Sequence, residues 1–324
     1  MTRRQWLAIA IAAALCAIGA PVEAQTYPNK PIRLIVPFAP GGGTDLTARI
    51  VAEALTKSLG QNVIVENKPG AGTQIGIEMV VRAPKDGYTL LWASADGLSI
   101  LPAVKRVPYN VPDSFSFISS FAAYPLVVGV SAKLPIHNLQ EFIDYARANP
   151  GKLHYASSGA GGGGHLYPAY IGKVVGADMV HVPFDGAAPA AVAVAGGFAD
   201  FCDVAPSTIA SYISAGTVTG LATSGHTRSS MLPNVQTMAE LGHPELAIDL
   251  FYGLLGPAGM PQEAIDKLRV GIEAILKQPG TTDRLHSLGL EPLDLGKEDF
   301  RAFVVKDAAQ WSTIAKAVNI HIGS

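Results

Sequence analysis

Cysteine is almost missing from this chain: of 324 residues only Cys16 and Cys202 carry a thiol. Once the N-terminal segment is removed no intramolecular disulfide can form, so the fold must be held by its apolar core. Cys202, within "ADFCDV", reads as a small buried apolar residue rather than a nucleophile. An excess of one charge is missing as well. The 24 basic and 26 acidic residues, net -2, are spread along the chain, and the 7% of aromatics are not interleaved with basic stretches. That excludes the electrostatic footprint of a nucleic-acid binder. GxSxG elbows, HExxH pairs, Walker lysines and CxxC pairs do not occur. The histidines, among them His154, His165 and His181, lie at spacings that predict no metal cluster. Neither a metal nor a cofactor is expected.

Long apolar runs are confined to the first residues, "MTRRQWLAIAIAAALCAIGAPVEAQ". Arg3 and Arg4 precede a short apolar stretch interrupted by Gly19 and Pro21, and Val22 and Ala24 stand at minus three and minus one of a cut after Ala24. This layout predicts a cleaved secretory signal over residues 1–24 and an exported mature protein. The stretch is too short and Ala-rich for a membrane anchor. Leu15 ahead of Cys16 argues against a lipid anchor.

What the chain has in quantity is apolar residues, 48%, in short Val/Ile/Leu runs alternating with amphipathic stretches. That rhythm predicts βα units around mostly parallel sheets, an α/β fold of doubly wound type. The first series is strand "PIRLIVPF", a helix from Thr44 to Leu59 closed by Gly60, strand "NVIVEN", helix "QIGIEMVVRA" and strand "YTLLWA". A second series begins near Leu126 and runs through strands "PLVVGVS", "LHYASS", "DMVHVPF", "ADFCDV" and "VTGLATS". The tail reads as helices, the last from Lys297, with Phe300, Phe303, Val304, Trp311, Ile314 and Val318 forming a packing stripe. A Pro/Gly-rich linker is missing, so two lobes would be joined by strands crossing near residues 121–130 and 220–224.

Two glycine tracts carry the chemistry. "PFAPGGGTDL" and "ASSGAGGGGHL" each follow a strand and precede a helix. The first amides of a helix have no intrahelical acceptor, and the helix dipole adds partial positive charge at that end. Glycine leaves those amides accessible, so each tract predicts an anion site at the carboxyl end of its strand. The second tract also matches GxGxxG at Gly159, Gly161 and Gly164, with Asp185 a distant candidate for the ribose acid. An exported nucleotide-dependent oxidoreductase is therefore an alternative. His165 opens the second helix and can touch a bound anion or simply pack. Asp45 reads as a first-turn acid or a ligand contact, and Asp203 as an acid that meets a ligand if it points into the cleft.

The whole pattern from about Tyr27 onward resembles the extracytoplasmic receptors of tripartite tricarboxylate transporters, the Bug family. "YPNKPIRLIVPFAPGGGTDLTAR", "VIVENKPGAGTQIG", "APKDGYTLL", "LHYASSGAGGGGHL", "VHVPFDGAAPA", "SAGTVTGLATS" and "FYGLLGPAGMP" carry the likeness. The resemblance implies a non-enzymatic periplasmic binding protein of type II-like architecture, a monomer with two α/β lobes over one ligand. Residues 25–125 and 223–324 would form one lobe and 126–222 the other. It implies a small organic carboxylate held largely by backbone amides, hydroxyls and ordered waters, and delivery to the membrane subunits of the transporter. Carried onto this chain, the site is Phe38, Pro40, Gly41, Gly42, Gly43, Thr44 and Asp45 in one lobe, and Ser157, Ser158, Gly159, Ala160, Gly161, Gly162 and Gly163 in the other. Gly72, Thr73 and Ser94 are further candidates, with His165 and Asp203 added from the residue reading. A receptor that feeds a sensor kinase is the second alternative.

Overall fold

The computed structural model describes residues 27–323, so the expected signal over 1–24 lies outside the described residues. The first half of the chain forms β1 (Ile32–Val36), α1 (Gly43–Leu59), β2 (Val63–Asn67), α2 (Gln74–Val81), β3 (Thr89–Ser94), α3 (Leu101–Val104), β4 (Phe115–Tyr124) and β5 (Val127–Ser131). Then come α4 (Leu139–Ala148), β6 (Leu153–Ser157), α5 (Gly163–Val175), β7 (Met179–Pro183), α6 (Ala187–Gly196), β8 (Phe201–Val204), α7 (Pro206–Ser214) and β9 (Val218–Thr223). The chain ends with β10 (Leu250–Pro257), α8 (Gln262–Leu276), α9 (Thr281–His286), β11 (Glu291–Pro292) and α10 (Lys297–Val318). Among the described residues no helix is long and apolar enough to cross a membrane.

Two sheets result, in the orders β11-β4-β10-β3-β1-β2 and β7-β6-β8-β5-β9. The α/β class holds, but the sheets are mixed rather than mostly parallel. β1 runs parallel to β2 and β3, and β6 to β7 and β8, as the βα rhythm predicts. β10 is antiparallel to both β3 and β4, β11 is antiparallel to β4, and β5 is antiparallel to β8 and β9. The cause is the crossing. β4 passes into β5 across only Pro125 and Leu126, with no helix to turn the chain back, so β5 enters the second sheet against the strands that helices deliver.

The crossing segments are fastened to one another at a buried serine. Leu126 N donates to Ser224 Oγ at 2.8 Å, and Ser224 Oγ donates to Ile248 O at 2.7 Å. On the first sheet, Phe117 and Phe251 meet Phe300 of α10 edge-on, with centroids 5.5 and 5.7 Å apart. The stripe of Phe300, Val304, Trp311 and Ile314 is buried there, as its helical spacing predicts. α1 starts at Gly43 with Asp45 in its first turn and ends on left-handed Gly60, so the βα unit delivers the first glycine tract to the carboxyl end of β1.

Candidate ligand-binding site

The two tracts fold alike. Gly41 and Gly161 have φ of 93° and 84°, in the left-handed region that favours glycine. Gly42 and Gly162 then cap α1 and α5 with extended torsions, φ/ψ of -82°/171° and -90°/178°. In each loop the amide of the left-handed glycine is taken by a side chain four residues on. Gly41 N donates to Asp45 Oδ2 at 2.9 Å, and Gly161 N to His165 Nδ1 at 3.0 Å. His165 is therefore the neutral tautomer protonated on Nε2, in keeping with burial, which lowers its pKa.

The second of these loops lines a cleft of about 250 Å³, and the residues just ahead of the first loop's glycines face it. Phe38, Gly72 and Thr73 line it from the first sheet's side, and Ser158, Gly159, Ala160, Gly161 and Gly162 from the second. The turn carrying Gly72 and Thr73 is backbone-strained: Gly70, Ala71, Gly72 and Thr73 have φ of 131°, 49°, 66° and 86° in succession. For a β-branched residue such as Thr73 this is a genuine outlier, and strain of that kind gathers at ligand clamps. Thr73 Oγ1 is buried with no hydrogen-bond partner.

Other candidates lie outside the lining of this cleft. Pro40, Gly41, Gly42 and Gly43 form an exposed rim. Thr44 is buried, and Asp45 is occupied by Gly41, by Arg49 at 3.0 Å and by Asn67 at 2.9 Å. Burial raises the Asp45 pKa, but these three partners together outweigh it and hold the carboxyl below its ordinary range. Ser94 is buried behind the cleft wall. Ser157 exchanges hydrogen bonds with Gly159 and sits 2.6 Å from His181 Nε2. His165 stacks on His181 with centroids 3.7 Å apart, and burial, then the neighbouring His165, push the His181 pKa down to about 4. Gly164, the third glycine of the GxGxxG match, packs its helix onto β8: a Cβ there would stand 2.8 Å from Asp203 O.

Asp203 is 1% exposed, and neither carboxylate oxygen has a protein partner. Its side chain is sealed beneath the start of α5, and burial pushes its pKa up to about 8, so it is a protonated acid at neutral pH. It does not line the cleft.

A residue the sequence reading passed over does line it. Asp96 follows β3, and its Oδ1 accepts from Gly163 N at 3.4 Å. The first amide of α5 is thus already capped by a carboxylate from the opposite sheet's side, which removes Gly163 from the donors open to a ligand. Burial raises the Asp96 pKa, with the Gly163 amide and the Ser94 hydroxyl working against it. The signal was available: Asp96 is two residues beyond Ser94, at a strand's carboxyl end, where α/β sheets bind ligands. Among the described residues, the amides of Ser158, Ala160 and Gly162 on the cleft wall and of Gly42 and Gly43 on the rim have no protein acceptor.

Two α/β units with facing glycine loops define a periplasmic-binding-protein architecture, and comparison with known proteins agrees. The family model described as "Tripartite tricarboxylate transporter family receptor" matches residues 47–320. Protein BugT of Bordetella pertussis is 33% identical over 313 residues, 95% of each chain. The solved structure of the periplasmic binding protein BugD superposes with a TM-score of 0.80 at 32% identity, covering 91% of this chain and 99% of that one. The structure of R. palustris Rpa4515 with adipate gives a TM-score of 0.83 at 28% identity, with the same coverage. The chain belongs to the tripartite tricarboxylate transporter receptor family, whose members are periplasmic solute-binding receptors and not enzymes. The oxidoreductase alternative falls with that assignment.

Proposed function

We propose that this chain, exported by its N-terminal signal and acting as a monomer, captures a small organic carboxylate in the cleft between its two sheets. It then delivers that ligand to the membrane subunits of a tripartite tricarboxylate transporter. The observation that carries this reading is the second glycine loop, Ser158 to Gly162, set in one cleft against Phe38, Gly72 and Thr73 of the first sheet's side. The free amides of Ser158, Ala160 and Gly162 are preorganised donors for an anion, and a carboxylate bonded by amides gains more per bond than a neutral acceptor does. Adipate bound by Rpa4515 supports the carboxylate class.

The test is a thermal-shift screen against organic acids with wild type and Gly162→Val. Gly162 already has torsions that any residue adopts, and its Cβ would find Asp96 Oδ1 at 3.6 Å and Ser158 Oγ at 4.0 Å, ordinary contacts. The variant keeps the fold and fills the cleft wall. A ligand at a hundred times its Kd stabilises the native state by about 2.7 kcal/mol, a shift of a few degrees. Wild type is expected to show it and Gly162→Val to lose it. A variant that responds like wild type puts the site elsewhere.

A further inference from the structure

The cleft has one ionisable side chain in its lining, and that side chain is an acid. Phe38, Thr73, Leu101 and Ser158 are typical of the rest, and no Arg, Lys or His is among the lining residues. Asp96 reaches from the first sheet's side to the opening turn of α5, where Oδ1 accepts the Gly163 amide at 3.4 Å and lies 3.6 Å from where a Gly162 Cβ would stand. Tyr124 and Tyr252, which feel the Asp96 charge, are neutral phenols held that way first by burial, and Asp307 is another buried carboxyl.

Resting on the carboxylate-receptor reading above, we propose that Asp96 sets the ligand class: the cleft selects a carboxylate that also carries an ammonium group and rejects a dicarboxylate. The ligand carboxylate takes the amides of Ser158, Ala160 and Gly162, since Gly163 is already engaged. Burial alone raises the Asp96 pKa, and a cation beside it would hold the carboxyl ionised, with lone pairs beyond the one on Gly163 left to accept. An ammonium satisfies them and supplies the counter-charge that the cleft lining lacks. A second ligand carboxylate finds no lining cation and is tolerated only if Asp96 takes up a proton, which gives up the charge-assisted pairing that an ammonium makes. Discrimination of this kind is built from the repulsive element as much as the attractive one.

Calorimetric titration of the full mature chain against matched pairs tests this: glycine with malonate, 3-aminopropanoate with succinate, 4-aminobutanoate with glutarate, and 5-aminopentanoate with adipate. Each pair differs only in ammonium for carboxylate. Wild type is expected to bind the amino member of at least one pair about tenfold or more tightly than its partner, and Asp96→Asn to erase or reverse that preference. Asp96→Ser, smaller and neutral, serves as the second variant, with circular dichroism confirming the fold of both. A wild type that prefers the dicarboxylates, or binds only carboxylates without a donor, overturns the assignment of Asp96 and leaves the receptor reading intact. A wild type that binds no member of these pairs and no acid of the wider screen overturns both.

Discussion

Gly41 and Gly161 occupy equivalent places in two loops built from the same torsions, yet different groups close them: an ionised carboxylate, Asp45, in the first and a neutral imidazole, His165, in the second. What the loop needs is an acceptor four residues on, in the first turn of the helix. Its charge is set by the surroundings. Asp45 is embedded among donors, Arg49 and Asn67, which keep it ionised. His165 lies against His181, Tyr155 and the start of α5, where a charge of either sign would be poorly solvated. The buried neighbour Asp203 is held neutral in the same region, while the Gly163 amide goes to the Asp96 carboxyl from the other side of the cleft. The left-handed glycine of the first loop is thus locked by a charged group and that of the second by a neutral one.

The largest test of this comparison is at the glycines themselves. Gly161→Ala adds a Cβ that collides with the Ile322 side chain, which the C-terminal segment holds in place by Ile322 N donating to Val104 O at 2.9 Å. Gly41→Ala meets nothing within 4 Å. Both incur the left-handed penalty of about 1 kcal/mol, and Gly161→Ala is expected to cost about 3 kcal/mol in all. Urea denaturation measures the difference, and Ile322→Ala in the Gly161→Ala background is expected to recover most of the excess.

Next in size is the pair of locking side chains. Asp45→Ala takes away the acceptor shared by the Gly41 amide, one Asn67 Nδ2 hydrogen and Arg49, and is expected to cost about 2 kcal/mol. His165→Ala frees one amide at the cleft and is expected to cost about 1 kcal/mol. Equal losses in denaturant midpoints would show that the loops are not locked as described.

The pH dependence separates the loops further. His181 titrates near about 4 in the folded protein, and His165 also lies below the unfolded histidine value. The unfolded chain therefore binds more protons as pH falls from about 6.5 toward 4, and stability drops across that window. Asp45 has a lowered pKa, so its contribution is present above the unfolded carboxylate value and is lost only as pH falls below it through the folded one. His181→Gln is expected to flatten the melting-temperature profile between pH 6.5 and 4, and Asp45→Asn to lower it throughout the range above about pH 4, the gap from wild type closing below that.

The smallest expected effect at acidic pH, growing with alkalinity, is that of Asp203→Asn. A folded pKa of about 8 means that the native state retains a proton the unfolded chain has lost, so stability falls as pH rises from the unfolded carboxylate value to about 8. The amide variant is expected to match wild type near pH 4 and to melt higher at pH 8. A parallel profile at both pH values would show that Asp203 is not a buried neutral acid.

Much of this was readable in advance where local chemistry decides. The helix ending at Gly60, the stripe on α10 and the strand–glycine–helix order of both tracts follow from residue spacing and from glycine's left-handed torsions. β4 and β10 were not recognised as strands because "FSFISSFAAY" and "LFYGLLGP" are buried on both faces and show no period-two alternation. At the site, which loops converge was legible, but which side chains face inward was not. Asp45, His165 and Asp203 all stand at strand or helix ends, and only the fold shows that the first two turn back on their own loops while the third is sealed under α5. Asp96 escaped notice because its partner, Gly163, is 67 residues away and is brought near only by the crossing strands.

The central claim is that the second glycine loop holds a carboxylate through its main-chain amides, in the cleft it shares with the first sheet's side. Titrating the ¹⁵N-labelled protein with whichever organic acid raises its melting temperature, and following the amide resonances of Gly42, Gly43, Ser158, Ala160 and Gly162, tests it directly. The account predicts downfield proton shifts at Ser158, Ala160 and Gly162 that saturate with a single dissociation constant and exceed those at Gly42 and Gly43. Second-loop amides that stay unmoved while the first loop or another region responds would contradict it.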